Sequence, residues 1–159
     1  MMKRQRSRGF SLVELLTVVA IIGVLSLVGV PAFINYQRSQ LVKNSLRMYT
    51  SDLRAARSRA VANTSFVRVR ITTASPAPGQ YVIEQSTDRG ATYPTVLQNR
   101  SLEQTVYFDT AKSFVFQPNG TVEFPVGVAS DAVEVKSDAR LPKPAYTVTV
   151  SISGKVAAD

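Results

Sequence analysis

The chain has 159 residues, enough for one ordinary domain plus an appendage, which excludes a multidomain enzyme. It contains no Cys and no His, so thiolate and imidazole catalysis, disulfides and Cys/His zinc sites are excluded. Lys and Arg number 19 against 11 Asp and Glu, but residues 66–159 hold nine of each, so the net charge of +8 does not by itself indicate a nucleic-acid surface.

A short basic segment precedes a long apolar one. Lys3–Arg8 contains four basic residues, and Leu15–Ile34 is a run of 20 residues without a charge. A helix of that length spans about 30 Å, the thickness of the hydrocarbon core of a bilayer. Basic flanks stay in the cytoplasm, so we expect a single pass through the inner membrane, with the C-terminal part on its outer, periplasmic side.

Glu14 lies at the start of this apolar segment and needs an explanation. A lone carboxylate there costs about 2.5–3.5 kcal/mol on insertion scales unless it finds a partner. The surrounding sequence is Ser-Arg-Gly-Phe-Ser-Leu-Val-Glu-Leu over residues 7–15. This pattern resembles the class III leader of type IV pilins and type II secretion pseudopilins, which has a basic leader, Gly, Phe and then Glu in an apolar helix.

The resemblance implies a processing and assembly pathway. Prepilin peptidase would cut after Gly9, remove the leader at residues 1–9, and methylate the new N-terminus at Phe10. The ammonium group of Phe10 could then pair with Glu14 of a neighbouring subunit, so the carboxylate is satisfied only when subunits stack in one register. Residues 10–34 would be the transmembrane and polymerisation helix.

Gly23 and Pro31 fall inside that helix, at places which in pilins bracket a stretch that loosens in the filament. The alternative is that both are incidental, since Gly and Pro are common in membrane helices. Two other interpretations of the N-terminus stay open. One is an ordinary secretory signal cut after Ala32, and the other is a plain single-pass anchor.

Residues 35–65 are predicted to continue as an amphipathic helix. Apolar residues recur at spacings of three and four, which is typical of a helix that packs on a sheet. Basic residues lie beside this stripe and form a ridge. Three interpretations of the ridge are open: a solvated face, docking to acidic faces of neighbouring subunits, or contact with DNA. The apolar stripe is Val42, Leu46, Tyr49, Leu53, Ala56 and Ala60, and the basic ridge is Lys43, Arg47, Arg54 and Arg57.

From Phe66 onward apolar and polar residues alternate, which predicts strands. Residues 87–103 are instead predicted to form a polar loop. Asn119-Gly120 predicts a tight hairpin with positive φ at both positions. The chain is therefore expected to be α+β, with a long N-terminal helix packed against a C-terminal antiparallel β-sheet domain at 66–159. The further predicted strands are Gln80–Gln85, Thr105–Phe108, Ser113–Gln117, Thr121–Val126, Ala132–Lys136 and Tyr146–Ser151.

A second, narrower resemblance covers the middle and the end of the chain. The stretches Leu53–Val61, Val67–Val69, Phe116–Gly120, Val148–Val150 and Gly154–Val156 are similar to the GspH/FimT branch of minor pilins and pseudopilins. Some FimT-type minor pilins bind DNA through an Arg-rich motif after a C-terminal Gly. This chain has only Lys155 there, and a single base gives a weak, salt-sensitive phosphate site.

We therefore expect a minor pilin or pseudopilin, assembled at or near the tip of a type IV pilus or a type II secretion pseudopilus. Its expected partners are prepilin peptidase, other pilin subunits and the inner membrane. The alternative is a DNA-binding minor pilin for natural transformation. No spacing in the chain singles out a catalytic group, so we expect no catalytic residue, no cofactor and no metal ion.

Overall fold

The computed structural model describes residues 10–76, 78–124, 130–137 and 145–159. The leader prediction at residues 1–9 lies outside these ranges. The chain divides into two compact units, Met1–Gln37 and Arg38–Asp159. The described elements are α1 (Leu12–Ala62), β1 (Phe66–Thr73), β2 (Gln80–Ser86), β3 (Thr95–Ser101), β4 (Val106–Phe108), β5 (Ser113–Phe116), β6 (Val122–Glu123), β7 (Ser130–Ser137), β8 (Ala145–Ser151) and β9 (Val156–Ala158).

The C-terminal half of α1 buries the predicted apolar stripe. Five of its six side chains belong to the buried core of the second unit, and the sixth, Leu46, is half-buried and packs against that core. The stripe falls on one face because residues three and four apart share a face of a helix. The buried members are Val42, Tyr49, Leu53, Ala56 and Ala60.

Helix α1 ends at Ala62, three residues before the predicted boundary at 65. Thr64 has a φ of 48°, in the left-handed region. The amide of Ser65 donates to the carbonyl of Ala60 at 3.0 Å, and the amide of Thr64 donates to that of Val61 at 3.4 Å. These two bonds form a Schellman cap, which stops the helix although no glycine occupies the left-handed position.

The strands form two antiparallel sheets. One has the order β3-β2-β1-β5-β6 and the other the order β4-β7-β8-β9. The amide of Val122 in β6 donates to the carbonyl of Ile152, in the turn after β8, at 2.8 Å, and so links the edge of one sheet to the other. The predicted α+β class is confirmed, with two sheets where a single one was expected.

The prediction of a polar loop over 87–103 is wrong, because it contains β3. This strand lies at the edge of its sheet, and its side chains are mostly exposed. Its pairing with β2 shifts register between Ile83 and Glu84, which leaves Leu97 without a partner position. An irregular, exposed edge strand has no buried face to produce alternation, so periodicity could not reveal it.

The hairpin at Asn119-Gly120 is present as β5 and β6, but its turn differs from the prediction. Of these two residues only Gly120 has a positive φ, at 82°. The amide of Gly120 donates to the carbonyl of Gln117 at 2.9 Å. Pro118 therefore occupies the second position of a type I turn, and Gly120 follows in the left-handed conformation. Of the predicted strand Thr121–Val126, its last two residues lie outside the described ranges.

Three aromatic rings fill the core where α1 meets the sheets. The ring of Tyr49 lies edge-on to those of Tyr81 and Phe108, with centroids 4.9 and 5.0 Å away. The Tyr81 hydroxyl donates to the buried carboxylate of Asp52 at 2.7 Å, whereas the buried Tyr49 hydroxyl has no hydrogen-bond partner among the described residues. Burial raises the pKa of both phenols, and the bond to Asp52 raises that of Tyr81 further.

The two tyrosines are expected to respond in opposite ways to loss of the hydroxyl. Tyr49→Phe removes a buried, unsatisfied polar group and should leave the free energy of unfolding unchanged or raise it by about 1 kcal/mol. Tyr81→Phe removes the donor to Asp52 and should lower it by roughly 1–3 kcal/mol. Chemical unfolding of both full-length variants in detergent measures this, and equal losses would contradict the assigned hydrogen bonding.

Candidate assembly and anion-binding sites

The N-terminal unit presents an apolar helix with an acid in its first turn. Phe10 is 73% exposed, and the amide of Leu15 donates to the carbonyl of Ser11 at 3.1 Å, so the helical hydrogen bonds begin at Ser11. Glu14 is exposed in the first turn, where the helix dipole favours a negative charge. Within the described residues no ion pair involves Glu14.

The apolar part of α1 is long enough and hydrophobic enough to cross a membrane, with a mean hydropathy of 2.5 over its best window. Two polar side chains in it bond to their own helix. The hydroxyl of Thr17 donates to the carbonyl of Val13 at 2.8 Å, and that of Ser26 donates to Ile22 at 2.7 Å. These bonds satisfy both hydroxyl donors within the helix, which a membrane-crossing segment would require.

Gly23 and Pro31 both lie inside the continuous helix. A methyl group added to Gly23 would meet nothing within 4 Å in this chain, so no internal contact requires glycine there. Pro31 has no N–H to donate to the preceding turn, which leaves one carbonyl of the helix without its usual bond. Both features weaken this stretch of helix locally, and neither is needed for packing within one subunit.

The predicted basic ridge separates into exposed and bound side chains. Arg47 and Arg54 are exposed and Lys43 is half-buried. Arg57 is different, because its Nε donates to the carbonyl of Gly120 at 3.1 Å and its Nη2 donates to that of Ser153 at 2.9 Å. Arg57 therefore fastens the β5–β6 and β8–β9 turns to α1, a role that the sequence did not reveal.

Gly154 permits this close approach. Its φ is 75°, and a Cβ atom there would lie 2.2 Å from the carbonyl oxygen of Gly120 and 2.6 Å from Nε of Arg57. No side chain fits at these distances. Glycine is thus required at position 154 both by its backbone conformation and by the space available.

Together these elements enclose a groove of about 760 Å³, which we call the basic groove. Arg54, Arg57 and Lys155 line it, so the structure brings together three of the five cations predicted as contact residues. Lys43 and Arg47 are not part of its lining. Across the described residues, no group of three or more acidic side chains is placed to hold a metal ion.

An apolar N-terminal helix whose C-terminal half packs on an antiparallel β domain defines a pilin-like protein. Residues 47–154 match the family model for the type II transport protein GspH, and residues 4–30 match the prokaryotic N-terminal methylation motif. The first match covers more than half of the chain, so the chain belongs to the GspH family.

Solved structures support the fold. The type IV minor pilin FimU of Pseudomonas aeruginosa, solved in two crystal forms, superposes with TM-scores of 0.59 and 0.54. The first form covers 77% of this chain and 90% of FimU at 14% sequence identity, and the second covers 74% and 91% at 12% identity. The likeness confirms the predicted pilin architecture.

Two curated relatives share only a short region with this chain. The prepilin peptidase-dependent protein D of Escherichia coli K12 is 41% identical over 44 residues, which are 28% of this chain and 30% of that protein. The type IV major pilin protein PilA of Myxococcus xanthus is 44% identical over 50 residues, 29% of this chain and 23% of PilA. The chain thus spans less than a third of the length of either relative.

Gly154→Ala is expected to destabilise the second unit by roughly 1–3 kcal/mol, because alanine is strained at this φ and also collides with Gly120 and Arg57. Gly90→Ala is the matched control. Its φ is 89°, but the nearest atom would be 3.3 Å away, so it tests backbone strain with little collision. Thermal unfolding compares the two, and an equal loss in both would contradict the close packing at Gly154.

Proposed function

We propose that this GspH-family chain is made as a precursor, cut after Gly9 by prepilin peptidase, methylated at Phe10 and assembled through residues 10–34. The assembly is a type IV pilus or a type II secretion pseudopilus, with this subunit at or near the tip. The observation that carries the proposal is the methylation motif at residues 4–30, joined to an exposed apolar helix with an acid in its first turn.

The proposed topology follows from charge. The basic residues Lys3–Arg8 stay on the cytoplasmic side of the inner membrane, so the second unit faces the periplasm. One relative is named as dependent on prepilin peptidase, which supports this enzyme as the processing partner. The role of the chain is mechanical rather than catalytic, because the helix supplies polymerisation and the β domain supplies a contact surface.

Removing the cleavage site should block processing. Gly9→Ala, expressed with a prepilin peptidase, is expected to remain at precursor length, and Ser7→Ala should still yield a product that begins at Phe10. Mass spectrometry of the N-terminus distinguishes the two. Normal cleavage of Gly9→Ala would contradict the assigned site, and a product that begins at Phe33 would identify a secretory signal instead.

Glu14→Gln tests assembly separately from cleavage. The amide keeps the size of the side chain but cannot neutralise the ammonium group of a neighbour, so we expect processed protein whose incorporation into sheared filaments falls about tenfold or more. Glu103→Gln, which changes an exposed carboxylate in the β domain, is the control. Equal incorporation of wild type and Glu14→Gln would refute the charge pairing.

A further inference from the structure

The basic groove combines a cationic rim with an apolar wall. Its cations come from two places, Arg54 and Arg57 on α1 and Lys155 in the turn before β9. Val61 also lines it and is 50% exposed although it is aliphatic. None of the described residues that line the groove is acidic or aromatic. A ligand that fits carries negative charge and an aliphatic surface together.

Arg57 gives this groove a fixed positive charge. Its two bonds end on neutral backbone carbonyls, so they hold the guanidinium in place without neutralising it. A cation that is already ordered loses little entropy when it binds an anion. Asn119 adds a polar group at the rim, because its side-chain oxygen accepts from Thr121 and its amide NH₂ remains to donate.

None of the acidic side chains in the described ranges lines the basic groove. Most of the acidic side chains in the described part of the second unit are already bonded to basic or polar groups of their own domain. Carboxylates that complement the basic groove are therefore expected on another molecule. The internal ion pairs are Glu84 with Arg68 and Arg70, Asp52 with Arg100, Asp131 with Lys112, and Asp109 and Glu134 with Lys136.

The spacing of the cations fits a short extended peptide. Arg54 and Arg57 are three residues apart on α1, so their Cβ atoms are about 5–6 Å apart. Alternate residues of an extended chain lie about 6.5–7 Å apart and point the same way, whereas the residue between them points to the opposite side. Three side chains at alternate positions can therefore face the groove, with two carboxylates on the cations and an aliphatic side chain on Val61.

We propose that the basic groove binds an acidic, extended segment of a different filament subunit, with two carboxylates at alternate positions and an aliphatic side chain at the next alternate position. Identifying the owner of that segment as a filament subunit rests on the proposed function. The groove itself does not, because it lies wholly in the second unit and needs no processed N-terminus.

DNA is the competing ligand for the same cations. Three cations give few phosphate contacts and hence weak, strongly salt-dependent binding, and single-strand sites usually add aromatic side chains on which bases stack. The described lining offers no aromatic ring. The wall formed by Val61 and Val156 instead suits an aliphatic side chain, so an acidic peptide is favoured over a nucleic acid.

The test measures fluorescence anisotropy with full-length protein in detergent. The probes are a dansyl-labelled, end-blocked peptide containing Glu-Ser-Glu-Ser-Leu, the same peptide with Gln for Glu, and a fluorescent oligodeoxythymidine. We expect saturable binding of the acidic peptide and about tenfold weaker binding of the Gln peptide. Arg54→Gln and Lys155→Gln should each weaken the acidic peptide about five- to tenfold.

Arg47→Gln is the matched control, because it removes the same charge from the same helix outside the groove. Its affinity for the acidic peptide should change less than about twofold. Arg57 is left intact since its loss would also release two turns. Equal binding of the two peptides, an equal loss in Arg47→Gln, or tighter binding of the oligonucleotide than of the acidic peptide would each overturn the proposal. None of these results would bear on cleavage after Gly9 or on Glu14.

Discussion

Burial of one face of α1 is the constraint on which the second unit depends. The stripe from Val42 to Ala60 packs against both sheets, and Tyr49 brings its ring against aromatic side chains from β2 and β4. The remaining faces of the helix are left for charged and polar residues. The same packing that builds the core therefore determines where the exposed arginines lie, and so where the basic groove can form.

The N-terminal part of the same helix is built for different surroundings. Its large apolar side chains are exposed on every side, and its hydroxyls bond to their own backbone. Such a segment needs lipid or other helices around it, because exposing so much apolar surface to water is energetically unfavourable. Glu14 is the exception, and a charge in this position favours an arrangement that brings it a cation.

Much of the fold could be predicted because it depends on periodic patterns. The apolar stripe of α1 and the alternation in β1 each mark one buried face, and both were read correctly from the sequence. β3 was missed because an edge strand with a register shift has no buried face to mark. The prediction of the turn type at Asn119-Gly120 was wrong because Pro118 already sets φ for the second position of a type I turn.

The site was harder to predict than the fold. A sequence shows that Arg54, Arg57 and Lys155 are basic, but the partners of Arg57 lie 63 and 96 residues further along the chain. The glycines at 120 and 154 were visible in the sequence, but their close approach to Arg57 was not. The two bonds of Arg57 could be identified only in the structure, where both hairpin turns lie beside α1.

The two bonds of Arg57 also make the basic groove depend on distant parts of the chain. Its acceptors, Gly120 and Ser153, belong to separate turns, and contacts over such sequence separations require the intervening loops to close first. Truncation before Ser153 would remove one acceptor of Arg57 together with Gly154 and Lys155 of the groove lining. The basic groove therefore exists only in a second unit whose C-terminal hairpin is in place.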